Sequence, residues 1–486
     1  MLFPTFQFAV FFLAVYALHW VLKRWEWPWK LFLLAVSYAF YGAWNPRFLW
    51  LILLVSLLNY ASAVLQVRAR SETARRLWLW AGVGFSLGGL GFFKYFNFFV
   101  DSLGELLFLA GLPAPGITLQ ILLPVGISFF TFQALSYTVD VYRGDLEPDC
   151  SPQGLLDFLV YIAFFPQLVA GPIVRASTFL PQFRAGYIER VERVHPAMAL
   201  ILGGFFKKMV LSTYLQMNLV DEVFANPSNY SSWEVLLAVY GFSVQIYCDF
   251  SGYTDIAIGT ARLMGFEFPD NFNGPYAAVS IQDFWRRWHI TLSTWLRDYL
   301  YIPLGGNQGG PWRRGRNVMI TMLLGGLWHG ASLNFVVWGG VHGLTLMIHG
   351  LWRSVVRGIG ARGWIPPGAL QGWGAALLKG FSILVTFHLV SFLWVPFYHR
   401  EFGKVLEVFQ ALAGSTQPMH QLDLWVVLAV AVGIGMNFGG GWVRTRYLEF
   451  QQRTHPGWGW GLNAALSFLI LQASPETVPP FIYFQF

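Results

Sequence analysis

Apolar stretches long enough to cross a bilayer recur from one end of this chain to the other, and that restricts it to a membrane-spanning fold. About 20 residues of helix rise some 30 Å, the thickness of the hydrocarbon core. Candidate spans are 5–22, 30–46, 48–66, 77–97, 120–139, 196–217, 233–250, 376–396, 423–440 and 459–474. Only 12% of the 486 residues are charged, against about 25% in ordinary soluble domains. The expected class is therefore all-α: a polytopic membrane protein of about ten to twelve spans, with no separate soluble domain. An aromatic content of 18% suits belts at the membrane interface.

Three stretches, 155–170, 250–264 and 317–350, are less regular. Leu155 to Phe165 gives only 11 residues before Pro166, too short to span and better read as re-entrant or interfacial. Irregular backbone at membrane depth survives only where protein or a water-filled cavity covers it. Gly171-Pro172 and Gly325-Gly326 fit such places.

The net charge of +7 does not point to nucleic acid. The basic residues cluster between apolar runs, the positive-inside pattern. Lys23, Arg24 and Lys30 follow the first span, Arg68, Arg70, Arg75 and Arg76 the third, and Arg175, Arg184, Arg190 and Arg193 precede the run at 196. These loops are expected in the cytoplasm, with the N-terminus outside. The segment 262–316 carries seven Arg, no Lys and four acids, and returns to the cytoplasm. So does the chain at Arg353, Arg357 and Arg362. The stretch 218–232, with Asp221 and Glu222 and no basic residue, lies outside. Two cysteines, Cys150 and Cys248, make neither a disulfide framework nor a metal-binding quartet. The first apolar run has no basic residue before it and no cleavage site after it, so it reads as a retained span. A single domain, 1–486, is expected, without internal repeats.

Residues 317–352 then enter from the cytoplasm and return to it. From Val318 to Ile348 there is no charged residue, yet the run holds His329 and His342. An ionisable group at such depth is a functional candidate by default. His329 lies 12 residues beyond Asn317, some 18 Å along a helix, which places it near the bottom of a funnel. Burial disfavours imidazolium, so a neutral His329 can take a proton from a hydroxyl as general base. Ser332 and Asn334 are near enough in sequence to orient it. His342 and His349 share a helix face and read as packing or interface residues.

A second histidine, His289, lies 40 residues upstream (329 − 289) in Asp283-Phe284-Trp285-Arg286-Arg287-Trp288-His289-Ile290. Ser280-x-x-Asp283 resembles a capping box. From it Trp285, Trp288, Leu292, Trp295 and Tyr299 fall on one helical face, with Arg286, Ser293 and Arg297 opposite. The pattern predicts an amphipathic helix in the interface plane. Asp249 and Asp255 lie within an apolar stretch and are expected to pair, with an Arg of the 286–297 helix as the favoured partner. Lys207 and Lys208 interrupt another apolar run, either to snorkel or to meet phosphates. No G-x-S-x-G elbow and no H-E-x-x-H motif occurs, so no metal site is expected.

These residues resemble the membrane-bound O-acyltransferase family, in its bacterial, polysaccharide-modifying branch. The matching blocks are Leu123 to Gln133, Phe165 to Ile173, Asp249 to Asp255, Asp283 to Gly306 and Leu324 to Ser332, with Phe93 to Asn97 also similar. They cover about 120–345; beyond about 355 only hydropathy is shared. The resemblance implies that His329 in Trp328-His329-Gly330 is catalytic and His289 its essential partner. It implies transfer of acetyl from a cytoplasmic thioester, acetyl-CoA or another, to hydroxyls of an exported alginate-like polysaccharide. Acetyltransferase partner proteins outside the membrane complete that transfer, and no cofactor is tightly bound. Trp285, Arg286, Arg287, Trp288, Arg297, Asp298, Trp328, Ser332 and Asn334 are the expected donor- or substrate-binding set. A D-alanyl or peptidoglycan acyl transferase is the alternative within the family. A transporter would favour paired repeats.

Overall fold

The computed structural model describes residues 3–113, 119, 121–185, 194–361, 372–419, 423–475 and 479–482. Arg190, Arg193 and Arg362, used above for orientation, lie outside them. All regular elements among the described residues are helical. Among the described residues, seven helices are long and apolar enough to cross a membrane: Pro46–Arg68, Glu72–Leu109, Val194–Ala225, Ser232–Leu263, Leu333–Val356, Gly372–Tyr398 and Leu424–Arg453. Shorter apolar helices, Phe6–Leu22 and Pro152–Ala163, accompany them.

The chain forms two compact units, Met1–Ile201 with Ile256–Pro269, and Leu202–Asp255 with Asp270–Phe486. In the first, Ile127–Arg143 is buried along almost its whole length. The irregular stretch 155–170 is a 12-residue helix, Pro152–Ala163, a break at Phe164, and one turn, Phe165–Leu168. The turn is entirely buried. Its backbone is satisfied from inside the unit, where the Phe165 N–H donates to Ser37 Oγ at 3.2 Å. Gly126, at φ +76°, brings the Leu123–Gln133 block against Leu168: a Cβ there would lie 2.7 Å from the Leu168 carbonyl oxygen. Two blocks of the family resemblance thus build packing in this unit.

The expected span 233–250 and the less regular stretch 250–264 form one continuous helix, Ser232–Leu263. The irregular run 317–350 resolves into a hairpin of Gly310–His329 and Leu333–Ala361. A Cβ on Gly326 would overlap the Phe335 carbonyl oxygen, and one on Gly339 the Met322 carbonyl oxygen. Small residues at the crossing let the two backbones touch, the usual device for packing helices in lipid.

Candidate active site

His329 is the last residue of its helix and sits at the tip of this hairpin. It is 3% exposed. Three aromatic rings meet its imidazole edge to face: Trp328 at 5.0 Å, Trp338 at 5.1 Å and Phe397 at 5.2 Å between centroids. The glycine contacts of the hairpin explain why such a tip can be reached without a wide turn.

His289 arrives differently from the expectation. The amphipathic helix is not continuous. Ser280 caps Ile281–Trp285, accepting from the Asp283 N–H. The chain then breaks over 286–289 and restarts as Ile290–Leu296. His289 is at the break with φ +41°, the single non-glycine residue at positive φ among those described. Such a conformation costs about 1–2 kcal/mol and persists only where the surroundings enforce it. Asn271 does the enforcing: its carbonyl accepts from the Ile290 N–H at 2.9 Å. Its Oδ1 accepts from the Thr291 N–H at 3.1 Å and the Thr291 hydroxyl at 2.9 Å. The same oxygen lies 3.1 Å from His289 Nδ1. An oxygen already accepting a backbone N–H is an acceptor, so Nδ1 carries the proton and Nε2 is the basic nitrogen. Periodicity could not reveal this, because Asn271 lies 18 residues away in a loop. Burial pushes the His289 imidazole down to about 3, so it is neutral throughout the physiological range.

One indole joins the two histidines. Trp328 touches His329 and also lies 5.9 Å from the His289 ring, centroid to centroid. Trp288 is buried against Phe272 and Trp394, and Trp285 packs on Trp338 and His342. Ser332 and Asn334 direct their hydrogen bonds to the chain after Phe397: Ser332 Oγ to the Arg400 carbonyl at 3.4 Å and Asn334 Nδ2 to the His399 carbonyl at 2.7 Å. They brace the segment that carries the Phe397 ring.

A cavity of about 920 Å³ opens in the same unit. Arg286, Arg287, Arg353 and Lys379 line it with His349 and Trp352. Its carboxylate, Asp283, is held by Arg287 at 3.0 Å, so the remaining charge is cationic. Arg297 and Asp298 are not in this wall. They pair with each other at 2.6 Å, with Arg297 well exposed. Along the Leu333–Ala361 helix, His349 follows Trp338 by 11 residues, about 16 Å. The cavity therefore lies about 16 Å along this helix from the Trp338 ring that meets His329, on the side where its basic residues gather.

His342 lies between them. It is wholly buried against Phe284, Trp285 and Trp338, and neither ring nitrogen has a hydrogen-bond partner among the described residues. An unsatisfied buried polar group costs about 1–3 kcal/mol, and an apolar replacement of like shape relieves it. His342→Phe is thus expected to keep or raise the melting temperature of the detergent-solubilised protein; a clear fall would show that the nitrogens are engaged.

Asp249 and Asp255 do not pair with an arginine of the 286–297 segment. Asp255 binds Lys207 at 2.6 Å, and Asp249 binds Lys208. The lysines sit in a π-helical stretch, Phe206–Ser212, whose wider turn lets two consecutive side chains reach the same neighbour. Gly252 makes the approach possible: a Cβ there would be 2.8 Å from the Gly204 carbonyl oxygen. Lys207 and Lys208 are therefore ion-pair partners rather than snorkelling residues.

Comparison with known proteins agrees with this architecture. The sequence pattern of the membrane-bound O-acyltransferase family matches residues 143–388. A Pseudomonas aeruginosa protein named "Probable alginate O-acetylase AlgI" is 39% identical over 433 residues, 88% of this chain and 77% of its own length. A Helicobacter pylori peptidoglycan O-acetyltransferase is 34% identical over 85% of this chain and 79% of its own. A Bacillus subtilis teichoic acid D-alanyltransferase is 28% identical over 57% and 70%. With its long apolar helices the chain is a multi-pass bacterial inner-membrane protein. It is an O-acyltransferase and belongs to the membrane-bound O-acyltransferase family.

Proposed function

We propose that this enzyme takes an acetyl group from a phosphate-bearing thioester on the cytoplasmic side, acetyl-CoA or a related donor. It passes the group to hydroxyls of an exported, alginate-like polysaccharide, with partner proteins outside the membrane completing the transfer. The observation that carries the reading is the layout of one helical hairpin: a cationic cavity towards its basic end, and His329 at its tip with His289 on the same indole. The identity to the Pseudomonas aeruginosa relative favours a polysaccharide acceptor.

His329 acts as general base. As the acceptor oxygen attacks the thioester carbonyl, its proton passes to an imidazole nitrogen of His329. The tetrahedral intermediate then expels the thiolate, the proton goes to sulfur, and an ester and a free thiol remain. Bound at Nδ1 by Asn271, His289 uses Nε2 to accept from a second hydroxyl of the acceptor and so positions the attacking one. The aromatic walls exclude water, which otherwise hydrolyses the thioester. Arg286, Arg287, Arg353 and Lys379 bind the donor's phosphates.

Acyl groups released by mild alkali from surface polymers, compared between cells with and without the gene, test the assignment. Gene-dependent acetate on an exported polysaccharide is expected. D-alanine, or acetate confined to peptidoglycan, would overturn the acceptor assignment. The donor site makes a separate prediction. Arg286→Ala combined with Lys379→Ala should raise the donor KM on the order of ten-fold, with kcat nearly unchanged, because uniform binding is lost. It should also flatten the dependence of that KM on salt. Steady-state donor kinetics at two ionic strengths check it.

A further inference from the structure

Phe481 and Ile482 are built into the interior of the second unit, with Pro480 exposed beside them. The Ile482 N–H donates to Asp249 Oδ2 at 2.8 Å. The Pro480 carbonyl accepts from Lys208 Nζ at 3.5 Å. The buried Lys208–Asp249 pair therefore grips this segment by one backbone donor and one backbone acceptor. Between the two grips Phe481 is inserted, 1% exposed. Its ring stacks on Tyr253 at 4.9 Å and meets Phe250 at 5.4 Å. Phe250 is the residue next to Asp249, and its ring stands edge-on to His289 at 4.7 Å.

Each of these contacts has a physical purpose at His289. A residue held at φ +41° relaxes unless it is pinned from several sides. Asn271 pins its Nδ1, and Trp328 lies against the ring at 5.9 Å between centroids. Phe250 supplies a further wall, itself braced by Phe272 at 5.1 Å and by Phe481. Without Phe481, Phe250 borders a void the size of a phenyl ring, and the wall can swing away.

We propose that Phe481, anchored by Lys208 and Asp249 through the backbone of Pro480–Ile482, is a positioning residue that holds Phe250 against His289 and so sets the aim of the His289 ring. The proposal rests on the reading that His289 serves the transfer reaction. It explains why two charges are paired deep in an apolar unit: together they present one acceptor and one donor to a passing strand of backbone. It also gives a task to Asp249, which binds Lys208 and the Ile482 N–H.

The test is a mutant cycle with donor and acceptor kinetics on the full-length protein in membranes. Phe481→Ala is expected to lower kcat on the order of ten- to a hundred-fold, the scale of an ångström-sized misplacement. The donor KM should change less than about two-fold, since the donor cavity is untouched. Phe481→Leu, which refills most of the volume, should restore most of kcat. In a His289→Gln background the same Phe481→Ala change should have no further effect, because its consequence runs through His289. Wild-type kcat in Phe481→Ala, or an equal loss in both backgrounds, overturns the proposal. Should Phe481→Ala not accumulate, Phe481→Leu against His289→Gln decides by the same comparison. Full activity of His289→Gln alone would instead overturn the reading of the active site on which this rests.

Discussion

His329→Ala is expected to abolish acyl transfer while leaving the protein in the membrane at normal abundance. The imidazole is enclosed by Trp328, Trp338 and Phe397, so no other titratable side chain among these contacts can take over its proton. Loss of a general base costs about 10²- to 10⁴-fold, and loss of an acyl relay more. The hairpin itself does not depend on the ring. Its close crossing is made by Gly326 and Gly339, several residues away, so the variant should still insert and fold. Acetyl content of the exported polymer and donor consumption by isolated membranes are the two measurements. Wild-type values in both would end the catalytic assignment; donor consumption that persists without acetylation would place His329 in acceptor activation alone.

Lys208→Met should have the largest effect on stability. Lys208 and Asp249 are each at least 96% buried as side chains and paired with one another. Removing one partner strands a carboxylate in an apolar interior, which costs about 3–5 kcal/mol. Asp249 is 4% exposed as a side chain, so the stranded charge gains little from water. Adding Asp249→Leu to Lys208→Met removes the stranded charge and should recover much of the loss. Recovery should stop short of wild type, because the Ile482 N–H then has no acceptor. Melting temperatures of the three detergent-solubilised variants check the order: wild type, then double variant, then single. A double variant less stable than Lys208→Met would mean that the two charges do not act as a pair.

His329 stood out in the sequence as a candidate for a simple reason. Hydrocarbon is intolerant of polar groups, so an imidazole in an uncharged run such as Val318–Ile348 stands out without any knowledge of the fold. The hairpin carrying His329 was legible too, since basic residues at both ends of 317–352 require the chain to return to the side it came from. The aromatic stripe of 285–299 was misleading in one respect. Its period is helical, but Asn271 takes the hydrogen bonds of residues 289–291, and the helix breaks there. Arg286 and Arg287 could be picked out as donor-binding candidates, whereas Arg297, of the same apparent face, is occupied by its neighbour Asp298.

Partnerships were the part that sequence could not supply. Asp249 and Asp255 had to pair with something, because unpaired carboxylates do not persist at that depth. Whether the partner was Arg or Lys depended on which helix lay alongside, and that was decided by Gly252 and by the extra width of a π-helical turn. Hydropathy set this chain's class as a multi-pass helical membrane protein, since that follows from the local cost of transferring a side chain from water to lipid. The strained conformation of His289, the indole shared by both histidines, and the Phe481 brace emerged only from the tertiary structure, since each joins residues far apart in the chain whose meeting depends on how helices pack.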